Sequence, residues 1–166
     1  MFSKILVPLD GSTLAECALD YAESIAKNCG TNEVVLISVT EAVHGSSMAP
    51  EMGELYKGTD IEGISTGGGG SFGIVFGKKE KQALKYLKKI AKKMEGVSVR
   101  TEVLIGNPAE EITRFAESEN CDLIVMSSHG RSGASRWAHG SVAEKVFKAI
   151  CIPVLMIHAP GCFPGL

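Results

Sequence analysis

Five segments with the hydrophobic patterns of β-strands are spaced along the chain. Residues 5–9, 34–39 and 122–127 are almost continuously apolar, as in strands that are covered on both faces. Residues 97–103 alternate apolar and polar side chains, which is typical of a strand with one face in water. Residues 153–157 begin with a proline, which suits a strand at the edge of a sheet. These runs predict five strands.

Amphipathic segments separate most of these strands. A first helix is predicted from a candidate capping box at Thr13 and Glu16 to a stop at Gly30, and a later helix has Asn107 as N-cap and Pro108 in its first turn. This alternation predicts an α/β fold with a doubly wound, five-stranded parallel sheet. The expected core positions of the helices are Leu14, Ala18, Tyr21, Ala22, Ile25 and Cys29, then Leu84, Leu87, Ile90, Ala91 and Met94, then Ile112, Phe115 and Ala116.

A glycine-rich stretch interrupts this alternation. Residues 42–77 contain four consecutive glycines at 67–70 and little apolar periodicity. A phosphate loop is disfavoured there because no Gly-Lys-Ser or Gly-Lys-Thr follows. The composition favours a flexible insertion, either a functional lid or a mobile linker. We therefore expect one domain over 1–160, interrupted by this insertion, and a short tail over 161–166.

Composition narrows the class of protein. The 166 residues are 45% hydrophobic and 22% charged, which allows one sizeable core. The net charge of -2 and the isoelectric point near 6.1 give no overall attraction to nucleic acid or to an anionic membrane. No apolar run approaches the ~18 residues of a membrane helix, and the first residues do not resemble a signal peptide. We expect a cytoplasmic protein that binds neither nucleic acid nor a membrane.

The cysteines and lysines do not indicate a specific chemical site. The five cysteines are widely spaced and contain no CxxC pair, which disfavours a disulfide framework or a zinc site and favours buried, reduced thiols. Eight lysines fall on the outer face of the second helix, where a solvated surface is the simpler interpretation and a docking surface for an acidic partner is the alternative. They are Lys78, Lys79, Lys81, Lys85, Lys88, Lys89, Lys92 and Lys93.

The clearest chemical signal follows the fourth predicted strand. Residues 122–127 lead towards His129 and Gly130, and residues 140–150, which begin Gly-Ser-Val, are predicted as a helix. Main-chain amides around Gly130 and the start of this helix, aided by the helix dipole, form a candidate anion site. Asp10 lies after the first strand and reaches the same end of the sheet, where ligands bind in doubly wound folds. GxGxxG and Walker-type motifs are lacking, which disfavours a dinucleotide dehydrogenase and a P-loop NTPase.

This spacing resembles the nucleotide-binding motif of the universal stress protein family, Gly-x2-Gly-x9-Gly-Ser/Thr. The matching positions are Ser127, Gly130, Gly140 and Ser141, with serine in place of the first glycine. The opening ILVPLDGS and the closing IPVL resemble the family as well. The resemblance implies an adenine nucleotide alpha hydrolase-like fold with strand order 3-2-1-4-5, bound ATP or a related adenine nucleotide, and a homodimer paired through the last strand. That strand comprises Pro153, Val154, Leu155, Met156 and Ile157.

Each candidate residue has a structural interpretation beside the functional one. Asp10 is either a turn residue or a group that binds ribose hydroxyls or a hydrated Mg²⁺. Ser127 leaves open normal, weaker or no nucleotide binding, because glycine lets the backbone approach a ligand more closely. Ser141 either caps its helix together with Glu144 or contacts phosphate. The candidate nucleotide-binding residues are Pro8, Asp10, Val39, Met126, Ser127, His129, Gly130, Arg131, Gly140, Ser141 and Val142.

These features indicate a binding protein. Val39 offers an apolar wall to an adenine ring, while His129 and Arg131 offer positive charge to phosphate, although loop arginines are more often solvated. No nucleophile, base and acid stand at recognisable spacing, so we expect no catalytic residues and at most slow ATP hydrolysis. The leading hypothesis is a nucleotide-dependent stress-response switch that acts on an unidentified regulatory protein. The alternative is a nucleotide-free dimeric scaffold.

Overall fold

Strands and helices alternate along the chain, as the hydrophobic pattern predicts. The computed structural model describes residues 2–40, 77–128 and 140–158. The predicted tail and all of the predicted insertion except Gly77 lie outside these residues. The strands form one parallel sheet in the order β3-β2-β1-β4-β5, which confirms the predicted class and order. The elements are β1 (Lys4–Pro8), α1 (Thr13–Cys29), β2 (Glu33–Thr40), α2 (Lys78–Ala91), β3 (Val99–Ile105), α3 (Pro108–Ser118), β4 (Leu123–Ser127), α4 (Ser141–Ala149) and β5 (Val154–Ile157).

Apolar side chains cover both faces of the sheet. On one face, Ile5, Val7 and Leu36 pack with residues of α1 and α2. On the other, Leu6 and Ile124 pack with residues of α3 and α4. All five are fully buried, and successive residues of β1 alternate between the faces because side chains along a strand point in opposite directions. A sheet covered on both faces explains why the central strands form continuous apolar runs.

The sheet changes its winding direction between β1 and β4. β1 pairs with β2 along its whole length, from Lys4 to Pro8, but it pairs with β4 only at Ile5 and Leu6. The helices that follow these two strands pack on opposite faces, α1 on one and α4 on the other. This arrangement creates a crevice beyond the carboxyl ends of β1 and β4, which is where doubly wound sheets bind ligands.

Helix α1 begins one residue earlier than the predicted capping box implies. Its N-cap is Ser12, whose Oγ accepts a hydrogen bond from the Ala15 amide at 3.1 Å. Thr13 is the first helical residue, and the Glu16 carboxylate accepts a hydrogen bond from the Tyr86 hydroxyl at 3.0 Å. The predicted box is therefore wrong, because the serine one position upstream has the extended backbone that an N-cap needs.

Small side chains bring α1 against the sheet. Its buried positions are alanines at three- and four-residue intervals, whereas Tyr21, a predicted core position, is 53% exposed. An alanine face lets a helix approach the sheet closely, so the bulky neighbours lie at the sides. Gly30 ends the helix in the left-handed conformation with a φ of 64°, as predicted. The buried residues are Ala15, Ala18, Ala22 and Ala26.

Helices α2 and α3 follow the sequence prediction closely. α2 buries Leu87 and Ile90, and the eight lysines are all exposed. In α3, Asn107 Oδ1 accepts a hydrogen bond from the Ala109 amide at 3.1 Å, and Pro108 occupies the first turn. No helix in the described parts of the chain is both long and apolar enough to cross a membrane.

The four cysteines that the structure describes are all free thiols. Cys121 is buried, and burial raises the pKa of its thiol to about 11, so the thiol stays protonated near neutral pH. Cys17 and Cys29 are half-buried. Cys151 is exposed, because it lies in the short surface connection between α4 and β5, and the prediction of a buried thiol is wrong there. Cys162 lies outside the described residues.

A cluster of charges joins the amino ends of the strands. Arg100 Nη2 donates to Glu119 Oε2 at 2.6 Å, and Lys4 Nζ lies 3.3 Å from the same oxygen. Arg100 Nε lies 3.3 Å from Glu33 Oε1 without a hydrogen bond to it, and the guanidinium carbon lies 5.8 Å from the centroid of the Phe115 ring. The hydrogen bonds from Arg100 and Lys4 hold the pKa of the Glu119 carboxyl below its ordinary value.

We expect this cluster to make stability sensitive to acid. Because the pKa of Glu119 is lowered, its stabilising contribution is present above an ordinary pKa of 4.5 and is lost as the pH falls through the lowered value. Glu119→Gln should lower Tm at neutral pH and flatten the acid decline of Tm, measured by circular dichroism. Glu117→Gln is the control, since Glu117 forms no ion pair within the described residues. Identical pH profiles for the two variants would contradict the expectation.

Candidate functional site

A cavity of about 740 Å³ opens at the crevice beyond β1 and β4. Its walls include the carboxyl ends of β1, β2 and β4 and the first turn of α4. The structure brings eight of the eleven predicted nucleotide-binding residues together here. They are Pro8, Asp10, Val39, Met126, Ser127, Gly140, Ser141 and Val142. The other three, His129, Gly130 and Arg131, lie outside the described residues.

Asp10 forms the turn between β1 and α1. Its Oδ1 accepts hydrogen bonds from the Ser12 amide at 2.9 Å and from the Ser12 hydroxyl at 2.6 Å. Gly11, between them, has a φ of 84°, which a residue with a side chain rarely adopts. Asp10 is therefore a turn residue, and the same turn fixes its carboxylate at the cavity wall. A carboxylate held there can accept hydrogen bonds from hydroxyl groups or bind a cation through water.

The first turn of α4 lines the cavity without a side-chain cap. Gly140 is the N-cap and Ser141 the first helical residue, so the predicted capping box of Ser141 and Glu144 is wrong. Glycine has no side chain with which to cap the helix. Among the described residues, no group accepts a hydrogen bond from the amides of Ser141, Val142 or Ala143. These donors and the positive end of the helix dipole favour an anion.

The Gly140 amide, by contrast, is already bonded within the protein. It donates to the Ser128 carbonyl at 2.6 Å, so it is not open to an anion, contrary to the prediction from sequence. Ser128 is fully buried, its own amide donates to the Ile157 carbonyl at 2.8 Å, and its Oγ lies 3.1 Å from His158 Nδ1. Ser128 therefore joins the start of α4 to the end of β5. Nothing in the local sequence indicates this connection.

Ser127, at the position where the resemblance places the first motif glycine, has ordinary strand geometry. It ends β4, lies opposite Ile157 in the ladder and is 7% exposed. Among the described non-glycine residues, Asn120 alone has a positive φ, so the backbone at Ser127 does not require glycine. Ser127 lines the cavity.

Helix α2 contributes a wall that sequence reasoning missed. Lys79, Gln82 and Tyr86 line the cavity from α2, and Pro108 and Ile112 line it from α3. The three α2 residues are spaced three and four apart, which places them on one helix face. That spacing could have been noticed in the sequence, but the many lysines of the same helix suggest a surface in water and not the wall of a cavity. The described residues contain no group of three or more side chains that could hold a metal ion.

Comparison with known proteins decides the family. A family model described as the universal stress protein family matches residues 1–158. The chain belongs to the universal stress protein family. Universal stress protein MJ0531 of Methanocaldococcus jannaschii is 37% identical over 160 residues, which cover 96% of this chain and 84% of that protein. Universal stress protein YxiE of Bacillus subtilis is 31% identical over 166 residues, which cover 95% of this chain and 100% of that protein.

Solved structures confirm the fold predicted from the resemblance. Protein MJ0577 of Methanocaldococcus jannaschii matches with a TM-score of 0.69 at 26% identity, covering 97% of this chain and 99% of that chain. A universal stress protein in complex with cAMP matches at 0.62 and 18% identity, covering 95% and 98%. A family protein from Arabidopsis thaliana with AMP bound matches at 0.56 and 16% identity, covering 96% and 93%. This universal stress protein has the adenine nucleotide alpha hydrolase-like fold.

Proposed function

We propose that this universal stress protein binds an adenine nucleotide, ATP, ADP or AMP, in the cavity and acts as a stress-response or regulatory switch. The observation that carries the proposal is that the first turn of α4, whose amides have no acceptor among the described residues, and the Asp10 carboxylate line one cavity where the sheet changes its winding direction. The first suits phosphate and the second suits sugar hydroxyls. Two proteins of the same fold hold cAMP and AMP.

Each part of the nucleotide has a chemical counterpart in the cavity. Phosphate oxygens would accept hydrogen bonds from the amides of Ser141 and Val142, which have no acceptor among the described residues. Ribose hydroxyls would donate to Asp10. Val39 and Met126 supply apolar surface for the adenine ring. The adenine base would lie against the apolar walls, and the phosphates would lie at the N-terminus of α4. These two contacts would fix the orientation of the ligand in the cavity.

Further groups complete the proposed site. Gly130 belongs to it by the family motif and would add a backbone donor, and the adjacent His129 and Arg131 would add positive charge near the phosphates. Mg²⁺ would be held by Asp10 through water and by the phosphates themselves, since Mg²⁺ keeps several waters and needs few protein ligands. Among the described cavity residues Asp10 is the one carboxylate and no histidine occurs. We therefore propose binding with at most slow ATP hydrolysis.

The switch would act through Ser128. Its carbonyl accepts from Gly140 at the start of α4, and its amide donates to Ile157 in β5. A phosphate bound at the first turn of α4 would favour one arrangement of these two hydrogen bonds. Through Ser128 it would then change the position of the edge strand β5. Nucleotide can shift the state only if it binds one arrangement better than the other. We propose that β5, together with Pro153 before it, pairs two copies into a homodimer in the cytoplasm, and that the dimer acts on a regulatory protein.

Isothermal titration with ATP, ADP, AMP and adenosine tests the binding proposal. The three nucleotides should give saturable heat and raise Tm, whereas adenosine should bind at least about tenfold more weakly, because it lacks the group that α4 attracts. A steady-state assay of phosphate release measures any hydrolysis of ATP. If millimolar nucleotide gives neither heat nor a rise in Tm, the proposal fails and the dimeric scaffold is the better description.

A further inference from the structure

Helix α2 and the residues after it concentrate positive charge. Eight of the chain's 17 lysine and arginine residues lie between positions 78 and 93, and all eight are exposed. Helical geometry confines five of them to an arc of about 100° and a length of about 17 Å. We call this set the lysine stripe. It comprises Lys78, Lys81, Lys85, Lys88 and Lys89.

The lysine stripe is not neutralised by the protein itself. Within the described residues, none of its members forms an ion pair. Elsewhere, lysines do pair: Lys4 Nζ lies 3.3 Å from Glu119, Lys27 Nζ 2.5 Å from Glu23, and Lys148 Nζ 2.6 Å from Glu144. The charge of the stripe is therefore available to a partner with negative charge.

Part of the stripe weakens the helix that carries it, whereas Lys88 and Lys89 lie in the last turn, where positive charge is favoured. Lys81, Lys85 and Lys89 follow one another at intervals of four, where like charges repel. Lys78 and Lys81 lie near the N-terminus of α2, where the helix dipole disfavours positive charge, and no side chain among the described residues caps that end. An anion along the stripe would relieve both effects. Sequence and local structure therefore favour an anionic partner over a merely solvated face.

The surroundings of the stripe select the kind of anion. Glu16, Asp20 and Glu23 of α1 line a groove together with Ile90 of α2 and the nearby Lys93, so negative charge lies on the α1 side of α2. A broad anionic bilayer would meet those carboxylates. The exposed residues of α2 are lysines and Gln82, which offer neither apolar anchors for a membrane nor arginine or aromatic groups for bases.

We propose that the lysine stripe docks an extended segment rich in aspartate and glutamate from a partner protein. An extended chain rises about 3.3 Å per residue, so five or six residues span the stripe. Its carboxylates would alternate with the lysine ammonium groups along the helix. The proposal depends on α2 alone and not on nucleotide in the cavity.

Fluorescence anisotropy tests this proposal with a labelled decapeptide of alternating aspartate and glutamate and with the full chain, without added nucleotide. Wild type should bind saturably at low salt and more weakly as salt rises. The triple variant Lys81→Gln, Lys85→Gln, Lys89→Gln should lose at least about tenfold in affinity. Its Tm should not fall, because repelling charges are removed, so lost binding will not reflect unfolding.

A second triple variant provides the matched control. Lys27→Gln, Lys145→Gln, Lys148→Gln removes the same charge elsewhere and should change affinity less than about twofold. Equal losses of affinity in the two triple variants would mean that only net charge matters and would overturn the proposal. Absence of saturable binding by wild type would overturn it as well. Tighter binding of a DNA duplex or of phosphatidylserine vesicles than of the decapeptide would assign the stripe to another polyanion and also overturn it. None of these outcomes bears on nucleotide binding.

Discussion

Replacing Ser141 with glutamate is expected to abolish nucleotide binding while leaving the fold intact. Ser141 is exposed, occupies the first helical position of α4 and lines the cavity. A carboxylate there occupies the place proposed for phosphate and repels it. Two unit charges ~4 Å apart interact by about 4 kcal/mol at the effective dielectric constant of a protein surface. Even half of that energy weakens binding by more than about tenfold.

The same substitution should stabilise the helix. Negative charge in a first turn interacts favourably with the helix dipole and contributes about 0.3–1 kcal/mol. Tm of the Ser141→Glu variant should therefore equal or exceed that of wild type. Loss of binding together with an unchanged or raised Tm would show that the effect is local and electrostatic and does not come from unfolding. A bulky substitution in the cavity could not make this distinction, because it could also destabilise the fold.

Titration calorimetry with ATP and AMP measures the effect. Ser141→Gln, which has the same size without the charge, is the control and should bind nucleotide within a few-fold of wild type. The deficit of the glutamate variant should be larger for ATP than for AMP, because ATP carries more negative charge. Wild-type affinity in the glutamate variant would mean that phosphates do not lie at the first turn of α4.

Val154→Pro is expected to convert the proposed dimer into monomers. β5 is an edge strand of the sheet. The Ile124 amide donates to the Pro153 carbonyl and the Ser128 amide to the Ile157 carbonyl, at 2.9 and 2.8 Å, so Pro153, just before β5, and Ile157, at its end, direct these carbonyls to β4. Backbone groups alternate in direction along a strand, so Val154 directs its own to the open edge, where a second copy would pair. A proline there removes a donor from the interface of both subunits.

The neighbouring position supplies the control for this test. Leu155 directs its amide to β4, so Leu155→Pro should break the internal ladder and lower Tm strongly, whereas Val154→Pro should lower it little. Light scattering should find wild type as a dimer and Val154→Pro as a monomer. Two lost hydrogen bonds at about 1 kcal/mol each raise the dissociation constant by at least about tenfold. A dissociation constant of Val154→Pro equal to that of wild type, measured by light scattering over a dilution series, would exclude pairing through β5.

The sequence predicted the presence of the helices and strands better than it predicted the residues at which they begin and end. Strand positions follow from apolar runs, and the Asn107 cap follows from local chemistry, so both are confirmed. The predicted cap at Thr13 is wrong. Serine and threonine both have a hydroxyl that can cap a helix, so the sequence alone does not choose between Ser12 and Thr13, and the backbone conformation selects Ser12. β3 lies at Val99–Ile105 instead of 97–103, because its bounds are set by pairing with β2 from Val34 to Thr40.

The sequence by itself determined the alternation of strands and helices, the family, and the residue types that gather at the carboxyl ends of the strands. These depend on periodicity and on motifs a few residues long, which a linear pattern contains. Tertiary structure alone decided that the Gly140 amide is bonded to Ser128, and that α2 brings Gln82 and Tyr86 to the cavity. Those contacts depend on how separate elements pack, because burial and hydrogen-bond partners are set by neighbours in space that the linear pattern does not specify.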